Sequence, residues 1–357
     1  MKMKKILKLT NPIITTIPTH SNFLSIAMLS ESGNAWLCSN YINIYLRYTN
    51  DANDKWHDSC KANFVDWGSL DRNYSNVVES FFVPRFIVQN DIIRFVINSI
   101  ENGYYLIMRL DQYYMPFSAS YLKEHYPPCV FINGIDCDED KVYISAFIDN
   151  GKYRTVEIDF SSFKESFINV ENEMIPSEPD YQFFRTEIQL LRPQINKYSF
   201  SIKHCLALLK DFLECKDSTG RFFNTSYMFE PYNKVSENIY LYGLDCINKI
   251  GELFCDGRFG IQNVHLLYDR YRAMTFRLNY LRENLNIQLD NNDIICEYKE
   301  IEHNALTLRN MCLKYQLTGK YREKEKILVG FERLKELEKR TLENLILEID
   351  KYVRYDV

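Results

Sequence analysis

Cysteine thiols and histidine imidazoles are the side chains of this sequence that could support nucleophilic catalysis. Cys129 follows His125 by four residues and opens an apolar run that ends at Ile135. A thiol is a strong nucleophile only as the thiolate, so it needs a base such as an imidazole nearby. If the intervening loop folds the imidazole back, His125 forms such a pair with Cys129, or else with Cys38. The competing interpretation is that each cysteine is a small buried hydrophobe.

The remaining cysteines and histidines carry no metal-binding pattern. The ten cysteines include no Cys-x-x-Cys pair, and the six histidines lack the spacing of metal ligands. We therefore predict no metal site. Because the chain has 357 residues and shows no export signal, we expect its cysteines to remain thiols rather than form disulfides.

An α+β domain followed by a helical domain would have to position these residues. Before about residue 175, runs of β-branched and aromatic residues alternate with polar turns, which predicts strands. Asp149–Lys152 contains Asn-Gly and predicts the tight turn of a hairpin. Ile175–Pro179 contains prolines and predicts a linker between domains at 1–175 and 176–357. The predicted strands are Tyr104–Leu110, Cys129–Ile135, Lys141–Ile148 and Tyr153–Ile158.

Helices are predicted in both domains. In the first, one helix covers about 22–30 and another about 88–102, the latter ending at Gly103, a candidate for the left-handed C-cap conformation. In the second domain apolar residues return every three or four positions, which predicts amphipathic helices packed on their own domain. The alternative for the last helix is that it contacts a partner. The predicted helices of this domain cover about 183–215, 236–255, 261–286, 294–317 and 321–354.

A more specific pattern surrounds the tyrosine-rich loop of the first domain. The sequence runs Asp-Gln-Tyr-Tyr-Met-Pro from Asp111, continues with Tyr121 and His125, and enters an apolar strand that ends Asn-Gly-Ile-Asp at Asp136. This order resembles the butirosin-biosynthesis-type acyltransferase family. That family runs Asp-x-Tyr-Tyr-x-Pro, a Tyr, His-x-x-His, and a strand ending Gly-Tyr-Asp.

The resemblance extends into the second domain and implies a fold. Tyr242-Gly243 and the run His265–Leu281 are similar to further patterns of the family, so the resemblance covers nearly the whole chain at low identity. It implies an α+β, papain-like (cysteine-protease-like) N-terminal domain, followed by an all-α helical C-terminal domain.

A papain-like acyltransferase uses a Cys/His/Asp triad, and this chain departs from it at all three positions. The resemblance puts Asn22 where the family has its cysteine, at a helix N-terminus whose macrodipole lowers a thiol pKa. The histidine position is Pro128, and residues 144–146 offer no carboxylate. His20 lies beside the expected nucleophile, and its alternative role is a solvent-exposed residue just before the helix. The candidate catalytic residues are therefore His20, Asn22, His125 and Cys129.

The resemblance also implies a substrate site on the tyrosine-rich loop. Asp111, Tyr113 and Tyr114 line the cleft in the family's pattern, and here they either hold substrate or brace the loop. The implied substrate is an acyl or peptidyl group on the phosphopantetheine arm of a carrier protein, with no cofactor bound by this chain itself. Tyrosine suits such an arm because it offers a flat apolar face and a hydroxyl group.

Composition narrows the class of partner. A net charge of −5 and a pI near 5.8 provide no basic field for nucleic acid. No apolar run approaches the length of a membrane span, so we expect a cytoplasmic protein with no membrane partner. The sequence leaves the oligomeric state open.

The departures from the triad bear on whether the chain is an enzyme or a binding protein. They favour a degenerate relative, in peptide or thiotemplated natural-product biosynthesis, that binds a carrier-linked acyl or peptidyl intermediate or a partner enzyme. The alternative is an active acyltransferase that moves an acyl group from a carrier-protein thioester to an amine by proximity and an oxyanion site. A structural interaction module without a cleft is the third class.

Overall fold

The structure is a computed structural model, and the chain is of the α+β class, as predicted. It forms two compact units. The first comprises Met1–Asn11, Asn22–Ser30 and Tyr74–Asn196, and the second comprises Pro12–Ser21, Glu31–Asn73 and Lys197–Val357. The structure describes residues 3–49, 60–65, 77–148, 152–170, 187–194, 198–221, 238–285, 287, 293–319 and 322–355.

The elements are numbered in chain order across both units. The strands are β1 (Lys4–Ile6), β2 (Ile44–Thr49), β3 (Lys61–Phe64), β4 (Val78–Pro84), β5 (Tyr105–Arg109), β6 (Cys129–Asp136), β7 (Lys141–Ile148), β8 (Lys152–Asp159), β9 (Glu187–Pro193) and β10 (Asn238–Tyr242). The helices are α1 (Pro18–Ala27), α2 (Glu31–Ser39), α3 (Arg85–Val88), α4 (Ile92–Glu101), α5 (Phe160–Ile168), α6 (Ile202–Leu213), α7 (Asp245–Cys255), α8 (Ile261–Asn284), α9 (Asp293–Thr318) and α10 (Arg322–Tyr355).

The first unit is built on an antiparallel sheet in the order β4-β9-β5-β6-β7-β8, with β1 paired to β6. One face of the sheet packs on α4 and α5 through a buried cluster that includes Met108, Ile132, Val96 and Phe163. Glycine suits position 134, which pairs with Ile6 of β1, because a Cβ there would lie only 3.0 Å from the Ile6 backbone. The four predicted strands are confirmed as β5 to β8, whereas the turn at 149–151 lies outside the described residues.

The two helices predicted within residues 1–175 begin at residues other than those predicted. Helix α1 begins at Pro18 rather than near Asn22. Proline suits the first helical position because its ring fixes φ and the N–H it lacks would have no intrahelical acceptor there. Asp91 caps α4 by accepting a hydrogen bond from the backbone N–H of Arg94. Gly103 adopts a φ of 80° after α4, which confirms the predicted left-handed position.

The second unit combines a three-stranded sheet, β10-β2-β3, with helices. The prediction of an all-α C-terminal domain is therefore wrong. The predicted helix over 236–255 begins with β10, and the one over 183–215 begins with β9, which belongs to the first unit. Pairing with β2, and with β4 and β5, takes up the backbone groups of these segments. The three long helices α8, α9 and α10 are confirmed close to their predicted bounds.

Buried arginines hold the second unit together. Arg270 forms an ion pair of 3.0 Å with Glu338 of α10, and both side chains are fully buried. Arg277 donates to the carbonyl of Cys38 at 2.6 Å, near the end of α2. Helix α10 therefore packs within its own unit. None of the helices in the described ranges combines the length and apolar character that a membrane span requires.

The interleaving of the units was not predicted. The sequence indicates one boundary near residue 175, which falls within 171–186, outside the described residues. The second unit nevertheless takes Pro12–Ser21 and Glu31–Asn73 from the N-terminal part of the chain. Strand β2, in the second of these segments, pairs with β10 almost two hundred residues later, from Thr49↔Asn238 to Tyr45↔Tyr242. Such long-range pairing leaves no local signal.

Candidate functional site

The segment 111–126, which we call the His125 loop, is held by one buried carboxylate. Asp111 follows β5 and is fully buried. Its Oδ2 accepts a hydrogen bond of 2.6 Å from Nδ1 of His125, and its Oδ1 accepts hydrogen bonds of 3.1 Å from the backbone N–H groups of Tyr113 and Tyr126. A carboxylate can only accept, so Nδ1 carries a proton, and Nε2 presents a lone pair whenever the ring is neutral.

The imidazole of His125 is fixed but open to solvent. Its side chain is 44% exposed, and Nε2 has no hydrogen-bond partner among the described residues. The backbone below it is braced by α5, since the N–H of Asp111 donates to the carbonyl of Ser166 at 2.8 Å. A buried acid that orients a half-exposed imidazole is the arrangement that a proton acceptor requires.

Aromatic side chains surround this imidazole. The ring of Tyr113 stacks on His125 with centroids 4.4 Å apart, and Tyr114 packs edge-on against Tyr113 at 5.1 Å. Further along the loop, Leu122 and Tyr126 are 61% and 55% exposed. The predicted substrate residues Tyr113 and Tyr114 thus lie beside His125 in a partly exposed part of the loop, whereas Asp111 is fully buried and braces the loop.

The predicted nucleophile position, Asn22, lies in a different environment. Its side-chain carbonyl accepts a hydrogen bond of 2.8 Å from the hydroxyl of Tyr153 on β8. The Tyr153 hydroxyl also interacts with Ser25 of α1 and Ser145 of β7. Ser145 donates to the side chain of Asn133 on β6 at 3.1 Å. We call this set of side chains the Asn22 network: Asn22, Ser25, Asn133, Ser145 and Tyr153.

The Asn22 network is uncharged and mostly buried, with Tyr153 half-buried. Asn22 is 4% exposed, and Ser25, Asn133 and Ser145 are between 0% and 2% exposed. Burial raises the pKa of the Tyr153 phenol well above its ordinary value, so the hydroxyl stays neutral. Asn22 also lies in the second turn of α1, past the first turn where the helix dipole would activate a nucleophile. The network satisfies buried polar groups and offers no nucleophile to a substrate.

His20 is buried rather than solvent-exposed, which corrects the alternative role considered for it. Nδ1 lies 2.8 Å from the hydroxyl of Tyr41 and Nε2 lies 3.1 Å from Oδ1 of Asn63, so both ring nitrogens are hydrogen-bonded. Burial lowers the pKa of His20 to about 3. A fully buried neutral imidazole with both nitrogens bonded cannot take up a proton from a substrate.

The two candidate cysteines are not brought into a pair with His125 by any contact of the described residues. Cys129 opens β6 opposite Arg109 of β5 and is half-buried. Cys38 is buried at the end of α2, where burial raises the pKa of its thiol to about 12. At that pKa the thiolate is rare at neutral pH, so Cys38 is a structural residue.

Sequence reasoning missed Asn133, Tyr153 and Ser166. Asn133 had a usable signal, because an amide inside an otherwise apolar strand needs a buried partner. Tyr153 and Ser166 had none, since they are ordinary residues of a strand and a helix until the tertiary structure joins them to Asn22 and Asp111. Among the residues that the structure describes, no group of three or more His, Cys, Asp or Glu side chains is arranged to hold a metal ion.

Comparison with known proteins concerns the first unit. A family model described as the DUF1839 N-terminal domain matches residues 81–181. The matched segment contains β5 to β8, α5 and the whole His125 loop, but not Asn22. No curated protein matches the chain.

Proposed function

We propose that this chain is a binding protein of peptide or thiotemplated natural-product biosynthesis, a degenerate relative of the papain-like acyltransferases. It binds an acyl or peptidyl intermediate on the phosphopantetheine arm of a carrier protein, or the partner enzyme that handles this intermediate. The observation that carries the proposal is a contrast. The Asn22 position is sealed and has no thiol, whereas the His125 loop exposes aromatic rings beside a fixed imidazole.

The proposal includes a papain-like arrangement of the first unit. It is supported by the hydrogen bond between Asn22 of α1 and Tyr153 of β8, and by the links from Tyr153 to Ser145 and from Ser145 to Asn133. The expected nucleophile position is thus linked, through Tyr153 of β8, to β7 and β6, the strands on which its partners would stand. The cytoplasmic location expected from the sequence belongs to the same proposal.

The His125 loop has the chemistry that a pantetheine arm needs. Such an arm alternates short apolar segments with amide groups, so it requires flat apolar surfaces and single hydrogen-bonding groups between them. Tyr113 and Tyr114 supply rings and hydroxyl groups, and Nε2 of His125 accepts a hydrogen bond from an amide N–H. Because Asp111 fixes the imidazole beforehand, little side-chain entropy is lost on binding.

Calorimetric titration with S-acetyl-pantetheine tests this function. We expect Tyr114→Ala and His125→Ala each to weaken binding about tenfold, the scale of one well-placed contact at a binding site. Tyr268→Ala, a half-buried tyrosine on α8 of the second unit, serves as the matched control and should bind like the unmodified protein. Equal affinity in all four proteins would remove the His125 loop from the proposal.

A second candidate function is favoured by the hydrogen bond between Asp111 and His125. In direct aminolysis, an amine nitrogen attacks the thioester carbonyl carbon while Nε2 of His125 takes its proton. The C–S bond then breaks, and the imidazolium returns the proton to the leaving thiolate, which balances the step. Asp111 would orient the imidazole and stabilise its charged form.

Thiol release from S-acetyl-pantetheine in the presence of a primary amine distinguishes the two functions. An active acyltransferase should release thiol faster than the His125→Gln variant by a factor of about a hundred or more, the usual contribution of a positioned base. If both proteins release thiol at the uncatalysed rate while still binding the thioester, the chain is a binding protein.

A further inference from the structure

Arg85 is a rigidly held cation between the ends of β5 and α5. It opens α3 directly after β4, and its Nη1 donates to the carbonyl of Arg109 at 2.9 Å. Its Nη2 donates to the carbonyl of Phe167 at 2.6 Å, and the guanidinium carbon lies 4.0 Å from the centroid of the Phe167 ring. Two hydrogen bonds and a stacked ring leave the guanidinium little freedom.

Both residues that hold Arg85 also adjoin the His125 loop. Arg109 precedes Asp111 by two residues, and its Nη1 donates to the carbonyl of Pro127 at 2.7 Å, just beyond the other end of the loop. Phe167 follows Ser166, whose carbonyl accepts the hydrogen bond from the N–H of Asp111. Arg85 therefore lies at the base of this loop, within the first unit.

No acid in the described part of the chain balances the charge of Arg85. Among the described residues, no carboxylate forms an ion pair with it, and both of its protein acceptors are backbone carbonyls. The neighbouring titratable groups are a second cation, Arg109, and the thiol of Cys129. Burial, together with the charge of Arg109, lowers the pKa of Arg85 to about 10. A guanidinium has five N–H donors, of which the carbonyls use two, and the Arg85 side chain is only partly buried.

We propose that Arg85 binds an oxyanion, a phosphate or a carboxylate, on the ligand of the His125 loop. Parallel N–H groups of a guanidinium match the oxygen spacing of both anions. Phe86 and Ile87, which follow Arg85, are 75% and 63% exposed and offer apolar surface beside the charge. The identity of the ligand rests on the proposed function, under which the anion is the phosphate at the end of the pantetheine arm.

Calorimetric titration with 4′-phosphopantetheine and with pantetheine tests this assignment. The unmodified protein should bind the phosphorylated compound about tenfold more tightly, the scale of one charge-assisted hydrogen-bonded pair. Arg85→Gln should abolish this difference, whereas the control Arg94→Gln, an exposed arginine of α4, should keep it. Arg85→Lys retains the charge without the planar fork and should keep only part of the difference, and circular dichroism verifies that each variant is folded.

A second measurement does not depend on the pantetheine arm. Inorganic phosphate or acetate, at an ionic strength matched with chloride, should raise the melting temperature of the unmodified protein but not of Arg85→Gln. The anion that gives the larger rise identifies the preferred class. If neither anion exceeds chloride and both pantetheine compounds bind equally, the Arg85 assignment is overturned while the proposed function stands. If neither pantetheine compound binds but an anion stabilises through Arg85, the assignment stands and the proposed function fails.

Discussion

The two histidines that were candidates for catalysis lie in opposite environments. His20 is fully buried, and both of its ring nitrogens are hydrogen-bonded, to Tyr41 and Asn63. Within the described ranges, His125 is bonded through Nδ1 alone, to a buried carboxylate, and 44% of its side chain is exposed. The imidazole of His20 is a packed core residue, whereas that of His125 presents Nε2 to solvent in a fixed orientation.

The same contrast separates the Asn22 network from the His125 loop. Around Asn22, the side-chain carbonyl, Tyr153, Ser145 and Asn133 are joined by hydrogen bonds within the protein, and the network contains no charged group or thiol. In the His125 loop the buried charge of Asp111 organises groups that face outward. The comparison teaches that a buried polar residue bonded within the protein is a poor candidate for contact with a ligand. A ligand is expected where fixed polar groups remain accessible.

Replacing Asp111 with Ala should have the largest effect of the changes considered. It removes a buried charged acceptor of three hydrogen bonds, so we expect the free energy of unfolding to fall by about 3 kcal/mol and the loop to lose its order. Urea denaturation measures this change. The control Asp138→Ala, at an exposed position after β6, should stay within about 0.5 kcal/mol of the unmodified protein. A loss below about 1 kcal/mol for Asp111→Ala would mean that the loop is held by other contacts.

Acid should destabilise the protein through His20. Its pKa of about 3 in the folded state lies below the value of 6.5 for an exposed imidazole, so the unfolded chain binds more protons between these values. Stability therefore falls as the pH drops below about 6.5, by up to about 1.4 kcal/mol per pH unit, and this contribution is about 2 kcal/mol at pH 5. Urea denaturation at pH 7 and pH 5 gives the difference for the unmodified protein and for His20→Gln. An identical pH dependence in both proteins would contradict the sealed environment of His20.

Tyr153→Phe should affect stability but not binding. The change removes the hydroxyl that donates to Asn22 and leaves a buried carbonyl without its partner, which costs about 1 to 2 kcal/mol of unfolding free energy. Titration with S-acetyl-pantetheine should give an unchanged affinity. Tyr126→Phe, at an exposed tyrosine, is the control for stability. A loss of affinity in Tyr153→Phe would show that the Asn22 network takes part in function after all.

Thiol modification should have the smallest effect. Cys296 is the exposed cysteine of α9, so iodoacetamide should label it first, and Cys296→Ser should remove this fast reaction. Binding of S-acetyl-pantetheine should survive the labelling because no thiol is needed for it. Rapid labelling of Cys129 together with loss of function would instead identify Cys129 as a nucleophile.

Prediction from sequence succeeded where local periodicity and burial agree. In strands β5 to β8, apolar residues alternate with polar ones or form continuous runs between turn residues. In α8 to α10, apolar residues recur at helical spacing, so both the strand pattern and the helix pattern could be recognised. It failed for β9 and β10, whose apolar content was taken as helical, because the choice between strand and helix was made by pairing partners far away in the chain. The start of α1 was predicted late because Pro18 was not taken as a first helical residue.

The sequence by itself determined the α+β class, the strands around the tyrosine-rich loop, and the absence of a cysteine at Asn22. It also predicted functional roles for Asp111, Tyr113, Tyr114 and His125, which lie in one loop. Only the tertiary structure decided that His20 and Asn22 are sealed, that Asp111 is the buried acceptor for His125, and that Arg85 lies at the base of the same loop. The reason is physical: burial and hydrogen-bond partners depend on segments far apart in the chain, and spacing along the sequence carries no record of them.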